Sequence, residues 1–282
     1  MKGVTATGWT TEDMAARRRL RLLVGVFTGL LWIDNLTEHY RGAFAHKLMW
    51  APVLLNPIVA VAGVAAALSP RAAWRRGFLG LAAAQMALGM VGFGFHQRGI
   101  ARRVGSGWRM YVFHAWYGPP IFAPLQYVGF GALGLLAALP ERSLTPLVRL
   151  LSWPRLLRLY VAVSAPPLWG EIAYLHWRGS FQDPFQWLPV VSIPAVGAAG
   201  AVAAASDSET ARRVYVGSIR WLTILGIAGT IFHLVGLGRR YDGYTTKAFL
   251  FNWLSGPPVP APSQLIGLGL VALTGERAGR QR

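Results

Sequence analysis

The hydrophobic residues of this chain fall into eight long stretches separated by short polar segments. The stretches cover about residues 20–40, 49–69, 77–97, 118–139, 157–177, 187–206, 215–237 and 250–273. Each approaches the roughly 20 apolar residues that a helix needs to cross a bilayer. The pattern predicts an all-α integral membrane protein with about eight transmembrane helices. Gly-Pro-Pro sequences at Gly118 and Gly256 predict the starts of the fourth and eighth helices, with kinks at Pro124 and Pro262.

Composition supports the membrane interpretation. Hydrophobic residues make up 54% of the chain and charged residues only 14%, against roughly 25% charged residues in a soluble domain. The chain has no cysteine, which excludes cysteine-ligated cofactors. The net charge of +17 comes from arginines and lysines that lie mostly between the apolar stretches. We therefore interpret the charge as membrane topology rather than as nucleic-acid binding.

The distribution of lysine and arginine predicts the orientation. With the N-terminus in the cytoplasm, 18 of these residues lie on the cytoplasmic side and 10 on the other. The positive-inside rule then places both termini in the cytoplasm, and we expect a multi-pass protein of the bacterial inner membrane. The first stretch is too long for a cleaved signal peptide and lacks a small-residue cleavage site.

The two halves of the chain resemble each other. HYRGAF at 39–44 aligns with HWRGSF at 176–181 after a shift of 137, and GPPIFAPLQYVGFG at 118–131 aligns with GPPVPAPSQLIGLG at 256–269 after a shift of 138. We call positions related in this way matched positions. The self-similarity predicts two tandem four-helix repeats in the same orientation, related by a pseudo-twofold axis along the membrane normal.

This alignment gives a predicted division of the chain. The segments are a cytoplasmic N-terminal tail (1–19), a first membrane repeat (20–140), a cytoplasmic linker (141–156), a second membrane repeat (157–275) and a cytoplasmic C-terminal tail (276–282). We refer to the two repeats as the first half and the second half.

Two matched acids lie inside the predicted membrane helices. Asp34 and Glu171 each follow an arginine, Arg21 or Arg158, by 13 residues, or about 20 Å along a helix. Both acids are therefore expected about two-thirds of the way across a hydrocarbon core of about 30 Å. An ionisable group at such depth is a candidate functional site. A proton relay or metal site and a structural ion pair are equally compatible with the pattern.

Further polar residues recur near the same outer side. The candidate ligand-binding residues are Asp34, His39, Arg41, His96, Arg102, Arg103, Gln126, Glu171, His176, Arg178, His233, Arg239, Arg240 and Gln264. The arginines near helix starts suit an anion, although snorkelling to lipid phosphates is the alternative for each of them. The glutamines suit hydrogen bonds across the bundle or contact with a ligand.

The histidines are also candidate metal or haem ligands. The set consists of His39, His96, His114, His176 and His233. Haem b or a metal ion is thus a candidate cofactor, and an ordinary interfacial role is the alternative.

The sequence contains no Walker A motif, Rossmann fingerprint, HExxH motif or G-x-S-x-G elbow. Our leading hypothesis is a membrane protein with a duplicated polar site at the periplasmic interface that binds a small anion, a quinone, a metal ion or a partner subunit. A small-solute or ion transporter and a quinone-linked redox subunit with haem b or a metal are the alternatives. The expected partners are the lipid bilayer and a membrane or periplasmic protein.

Overall fold

The computed structural model describes residues 9–105 and 107–280, and this part of the chain is all-helical. Its helices are α1 (Thr11–Arg41), α2 (Trp50–Leu68), α3 (Ala72–Ala101), α4 (Trp108–Tyr117), α5 (Leu125–Ala138), α6 (Glu141–Leu150), α7 (Trp153–Arg178), α8 (Trp187–Ala205), α9 (Glu209–Gly238), α10 (Thr246–Ser255) and α11 (Ser263–Arg280). One 3₁₀ turn precedes α2 at Lys47–Met49 and another precedes α8 at Pro184–Gln186. Lys2 and Arg282, which the orientation count assigns to the cytoplasm, lie outside the described residues.

Five of the described helices are long and apolar enough to cross a membrane, namely α1, α2, α3, α8 and α9. Large apolar side chains such as Leu54 and Val61 are more than 60% exposed, as is expected on a surface that faces lipid. The prediction of an all-helical chain compatible with a membrane is therefore confirmed. The remaining predicted stretches overlap α5, α7 and α11, and eight spans remain a prediction.

The fourth and eighth helices do not begin where the sequence predicts. α5 begins at Leu125 and α11 at Ser263, and a short helix followed by an irregular turn precedes each. The predicted starts at Gly118 and Gly256 are wrong. Two prolines follow each glycine, and a proline keeps the residue before it in extended backbone. The predicted kinks are also wrong: Pro124 is the N-cap of α5, and Pro262 directly precedes α11.

Other boundaries also differ from those predicted. α1 begins at Thr11 because Thr10 and Asp13 form a reciprocal capping box, so the helix includes part of the predicted N-terminal tail. The predicted linker contains α6. α11 continues through most of the predicted C-terminal tail, to Arg280.

The HxRGxF motif forms the turn that reverses the chain between α1 and α2, and between α7 and α8. The Phe44 N–H donates to the His39 carbonyl at 3.0 Å, and the Phe181 N–H donates to the His176 carbonyl at 3.1 Å. Both phenylalanines have a φ of 46°. Each stacks on the tryptophan that begins the next helix, at a ring distance of 4.1 Å.

Arginines cover the helix ends at the side predicted to be cytoplasmic, which we call the inner end. Arg21 donates to the Ala66 and Ala137 carbonyls at 2.9 Å each, at the C-terminal ends of α2 and α5. The same kind of contact joins Arg17 to Leu139, Arg18 to Ala67 and Arg158 to Ala203. These contacts satisfy carbonyls that lack a partner within their helix and place positive charge at the negative end of the helix dipole.

Helices from both halves pack together at the centre. α1 contacts α2, α5 and α11, and α7 contacts α8, α11 and α5. α1 and α2 pack closely at Gly25 and Gly63, where a Cβ on either glycine would lie 2.9 Å or less from backbone atoms of the other helix. The inward faces of α1 and α7 carry the two acids.

Candidate functional site

Glu171 on α7 is buried and bonded to the first half of the chain. Only 4% of the residue is exposed. The carboxylate accepts a hydrogen bond from the Phe122 N–H at 2.9 Å, and the Ala123 N–H is a further donor. Both donors lie in the turn that leads into α5. Glu171 therefore anchors this turn to α7, and its carboxylate has hydrogen bonds that offset the cost of burial.

Asp34 on α1 occupies the matched position but has no such donor. The residue matched to Phe122 is Pro260, which carries no N–H. The residue matched to Ala123 is Ala261, whose N–H donates to the Pro258 carbonyl at 3.2 Å. Within the described residues, the buried Oδ1 of Asp34 accepts no hydrogen bond. The two acids are thus chemically different although the sequence pattern makes them equivalent.

The charges around Asp34 come from both halves. Glu38 and Glu171 lie near enough to oppose its negative charge, and Arg41 lies near enough to attract it. Arg41 also forms an ion pair with Glu38, one helical turn before it on α1. Two acidic side chains and one arginine therefore surround Asp34, and the arginine already forms an ion pair with Glu38.

The arginines at the outer end serve mainly to hold backbone carbonyls. Arg41 reaches across to the end of α10 and donates to three carbonyls, those of Trp253 at 3.0 Å, Leu254 at 2.6 Å and Gly256 at 2.7 Å. Its matched residue, Arg178, donates to the Gly118 carbonyl at 3.4 Å. These contacts account for part of the high positive charge on this side.

The arginine pairs that follow α3 and α9 are exposed. Arg102 and Arg239 are the C-caps of these helices, and Arg103 donates to the Tyr117 carbonyl at the end of α4. Arg240 is also exposed. The four side chains lie in or beside the loops at the outer end, and no hydrogen bond or ion pair among residues 9–105 and 107–280 joins them to Asp34 or Glu171.

Gln126 and Gln264 meet between α5 and α11. The Nε2 group of Gln264 donates to Oε1 of Gln126 at 2.9 Å. Both side chains are half-buried. The bond links matched positions of the two halves, and it joins two of the predicted site residues directly.

The histidines lie within each half rather than between the halves. Nδ1 of His39 donates to the Met49 carbonyl at 2.7 Å, that of His96 to the Pro120 carbonyl at 2.6 Å, and that of His233 to the Pro258 carbonyl at 2.7 Å. A carbonyl only accepts, so each of these rings carries its proton on Nδ1 and leaves Nε2 open. His176 is matched to His39, but its Nδ1 is buried and has no hydrogen-bond partner in the described part of the chain.

The histidines form pairs rather than a larger metal site. His39 lies near His96, and His176 lies near His233. His114 is buried on α4, and its matched residue, Asn252, donates to the Leu237 carbonyl at the end of α9 and to the Tyr241 and Gly243 carbonyls in the following loop. Across residues 9–105 and 107–280, no three histidine or acidic side chains come together in a way that could hold a metal ion.

The predicted residues thus fall into an inter-half group, two histidine pairs, the four exposed arginines that follow α3 and α9, and His114 on α4. The inter-half group contains Asp34, Glu171, Arg41, Arg178, Gln126 and Gln264. Arg41, Glu171 and Arg178 each bond to the backbone of the other half, Gln264 bonds to Gln126, and Asp34 lies near Glu171. We call it the inter-half site.

The buried polar residues of the first half that sequence reasoning missed include Thr28, Asn56, Gln85 and Tyr127. Asn56 donates to the Tyr127 hydroxyl at 2.9 Å, and Gln85 donates to the Thr28 hydroxyl at 3.3 Å. The alignment of the halves contained a signal for them. Their matched residues are Ala165, Ile193, Leu222 and Leu265, all of which are apolar.

No protein-family model matches this chain, and no curated protein or solved structure matches it either. Any function must therefore be argued from the inter-half site and the histidine pairs themselves.

Proposed function

We propose that the chain is a multi-pass protein of the bacterial inner membrane, built from two tandem four-helix units in the same orientation with both termini in the cytoplasm. Matched contacts support the duplication. The histidines at 96 and 233 both donate to the second proline of the following Gly-Pro-Pro sequence. Trp32 and Trp169 donate to carbonyls 21 residues later, at 3.0 and 2.9 Å. Such agreement in polar contacts is not required of two unrelated helical bundles.

The absence of cysteine makes this topology testable in the natural sequence background. Single cysteines would be introduced at exposed positions, Arg71→Cys and Ser143→Cys at the inner end and Arg102→Cys and Lys247→Cys at the outer end. A membrane-impermeant maleimide applied to intact spheroplasts should label only the outer pair. Labelling of an inner-end variant as strongly as an outer-end variant would contradict this topology.

The function that the geometry supports best is binding of a small ligand at the inter-half site, with Asp34 as the acceptor. The observation that supports this function is the buried Oδ1 of Asp34, which accepts no hydrogen bond from any described residue. The matched Glu171, in contrast, accepts a hydrogen bond from the backbone. A buried carboxylate oxygen without a donor is costly. A ligand that brings a hydrogen-bond donor or a positive charge would remove that cost.

The surrounding charges narrow the ligand class. Glu38 and Glu171 disfavour an anion near Asp34, and Arg41 is occupied by Glu38 and three carbonyls. Among the ligands that the sequence leaves open, a quinol head group or a cation fits this site better than a small anion. A quinol hydroxyl would donate to Asp34, and a cation would neutralise it.

A hydrophobic carbodiimide, which reacts with carboxylic acids inside membranes, tests the role of Asp34. Peptide mass spectrometry of the purified protein should find the adduct on Asp34 in preference to Glu171. A short-chain quinol or Na⁺, added first in separate samples, should protect Asp34, and Asp34→Asn should remove the labelling. Equal labelling of both acids, or none on Asp34, would contradict the assignment.

A quinone-linked redox subunit is the second candidate, and the histidine pairs favour it. Metal-bound histidines usually donate their second ring nitrogen to a carbonyl or carboxylate, as His39, His96 and His233 do. An absorption spectrum and metal analysis of protein purified from its native membrane test this candidate. A Soret band or stoichiometric metal that is lost in His39→Ala/His96→Ala would support it, and a protein with neither would exclude it.

A further inference from the structure

The interior of the first half contains two pairs of buried polar side chains that the inter-half site does not use. Asn56 on α2 donates to Tyr127 on α5, and Gln85 on α3 donates to Thr28 on α1. Thr28, Asn56 and Gln85 are 0% exposed. The pairs therefore connect all four long helices of the first half through its core.

The second half shows that this fold does not require polar residues there. All four matched positions are apolar, with Ala165, Ile193, Leu222 and Leu265 in place of the polar set. The second half has a polar pair at a different place, in which the exposed Trp221 donates to the buried Ser192 hydroxyl at 2.9 Å. A polar core at the four positions is costly in a membrane, so its presence in one half calls for a role other than packing.

The two pairs also leave hydrogen-bonding capacity open. Oδ1 of Asn56 and Oε1 of Gln85 are buried acceptors that no residue in the described ranges satisfies. Buried acceptors of this kind are usually satisfied by internal water, which makes about three hydrogen bonds per molecule. Each amide oxygen is therefore a candidate binding point for internal water.

The polar groups lie in an order that leads away from Asp34. Tyr127 is near enough to Asp34 to feel its charge. Asp34 follows Arg21 at the inner end by 13 residues and Thr28 follows it by seven, which are heights of about 20 Å and 10 Å above Arg21. The groups therefore extend from the outer third of the bundle to within two helical turns of the inner end.

We propose that Asp34 and these four side chains form a proton path through the first half, and that the second half is a scaffold without one. A proton from the outer side binds the Asp34 carboxylate and passes by way of Tyr127 and internal water to the Gln85–Thr28 pair. Its release towards the inner end leaves Asp34 ionised again, so one charge crosses per cycle and no cofactor is consumed. Glu38 and Glu171 face Asp34 and favour its uptake of a proton, and Arg41 opposes it. This path shares two premises with the proposed function: the Oδ1 of Asp34 that accepts no hydrogen bond, and the alignment of the two halves.

Proton flux into liposomes that contain the purified full-length chain and a trapped pH dye tests the path. A K⁺ gradient with valinomycin supplies the driving potential. The test variants carry the residues that the second half already has, Asn56→Ile/Tyr127→Leu and Thr28→Ala/Gln85→Leu, and a third carries Asp34→Asn. The control gives the second half the residues of the first, Ser192→Leu/Trp221→Ala, which match Leu55 and Ala84.

We expect the wild type and the control to conduct protons well above protein-free liposomes, and all three test variants to fall to the protein-free rate. Because both partners of each pair become apolar together, the pair variants should elute as monodisperse protein with an unchanged or raised melting temperature. Wild-type flux equal to that of empty liposomes would overturn the proposal, as would folded pair variants that conduct like the wild type. Carbodiimide labelling of Asp34 is independent of this flux, so a path that fails here leaves the ligand site at Asp34 to be judged on its own test.

Discussion

Gln264 donates to Gln126 across the centre of the molecule, and the two residues occupy matched positions of the two halves. In an assembly with twofold symmetry, a residue contacts its own counterpart only where the symmetry axis passes between them. The bond therefore marks where a pseudo-twofold axis would run, between α5 and α11. It also gives these glutamines a structural role in joining the halves.

The first prediction concerns this bond. Gln126→Leu and Gln264→Leu should each destabilise the protein, and the double variant should be less destabilised than the sum of the two. We expect a coupling free energy of about 0.6 kcal/mol, with about 1.7 kcal/mol as the upper range seen for membrane helices. Thermal unfolding in detergent of the wild type, both single variants and the double variant measures it. A coupling free energy of zero would mean that the bond does not hold the halves together.

The second prediction concerns Arg41. Arg41→Gln removes hydrogen bonds to three carbonyls at the end of α10, and we expect a loss of roughly 2 kcal/mol or more in unfolding free energy. Hydrogen exchange should rise in Thr246–Ser255 while it stays unchanged in α8. Arg178→Gln is the matched control, because Arg178 makes a single contact of 3.4 Å and should cost less. A larger effect at Arg178 would contradict these roles.

The third prediction concerns the contact of α1 with α2. Gly25→Ala would place a Cβ 2.7 Å from the Val64 nitrogen, and overpacking of this kind costs about 1–3 kcal/mol. Gly80→Ala on α3 is the control because nothing lies within 4 Å of its Cβ position, so it should be neutral or slightly stabilising. Melting temperatures of the two variants decide the matter, and an unchanged value for Gly25→Ala would show that the helices can separate without cost.

The sequence predicts the large features of this fold because they depend on short patterns. Apolar stretches of about 20 residues predict helices wherever they occur, and all eight overlap a helix of the structure. The positions of Asp34 and Glu171 on the inward faces of α1 and α7 follow from the cost of burying charge in a membrane. The proposed duplication rests on matched residues that are identical, such as Trp50 and Trp187.

The roles of individual polar residues were not predictable because they depend on contacts between distant segments. Arg41 holds the end of α10, which is more than 200 residues away in the chain, whereas its sequence neighbourhood suggests an anion site. The starts of α5 and α11 were missed because proline is compatible both with a first helical turn and with the turn before it. The difference between the two acids depends on the identity of residue 260, which no pattern around Asp34 reveals.

The last prediction follows from that residue. Pro260→Ala supplies the N–H that Pro260 lacks, at the position matched to the donor of Glu171. This N–H should donate to Asp34, and carbodiimide labelling of Asp34 should fall because its oxygen is then occupied. The reciprocal change, Phe122→Pro, should remove one of the two backbone donors of Glu171 and make that acid more reactive. Since the two variants exchange the chemistry of the matched sites, reactivity that stays on Asp34 in both would mean that the backbone donor does not distinguish the two acids.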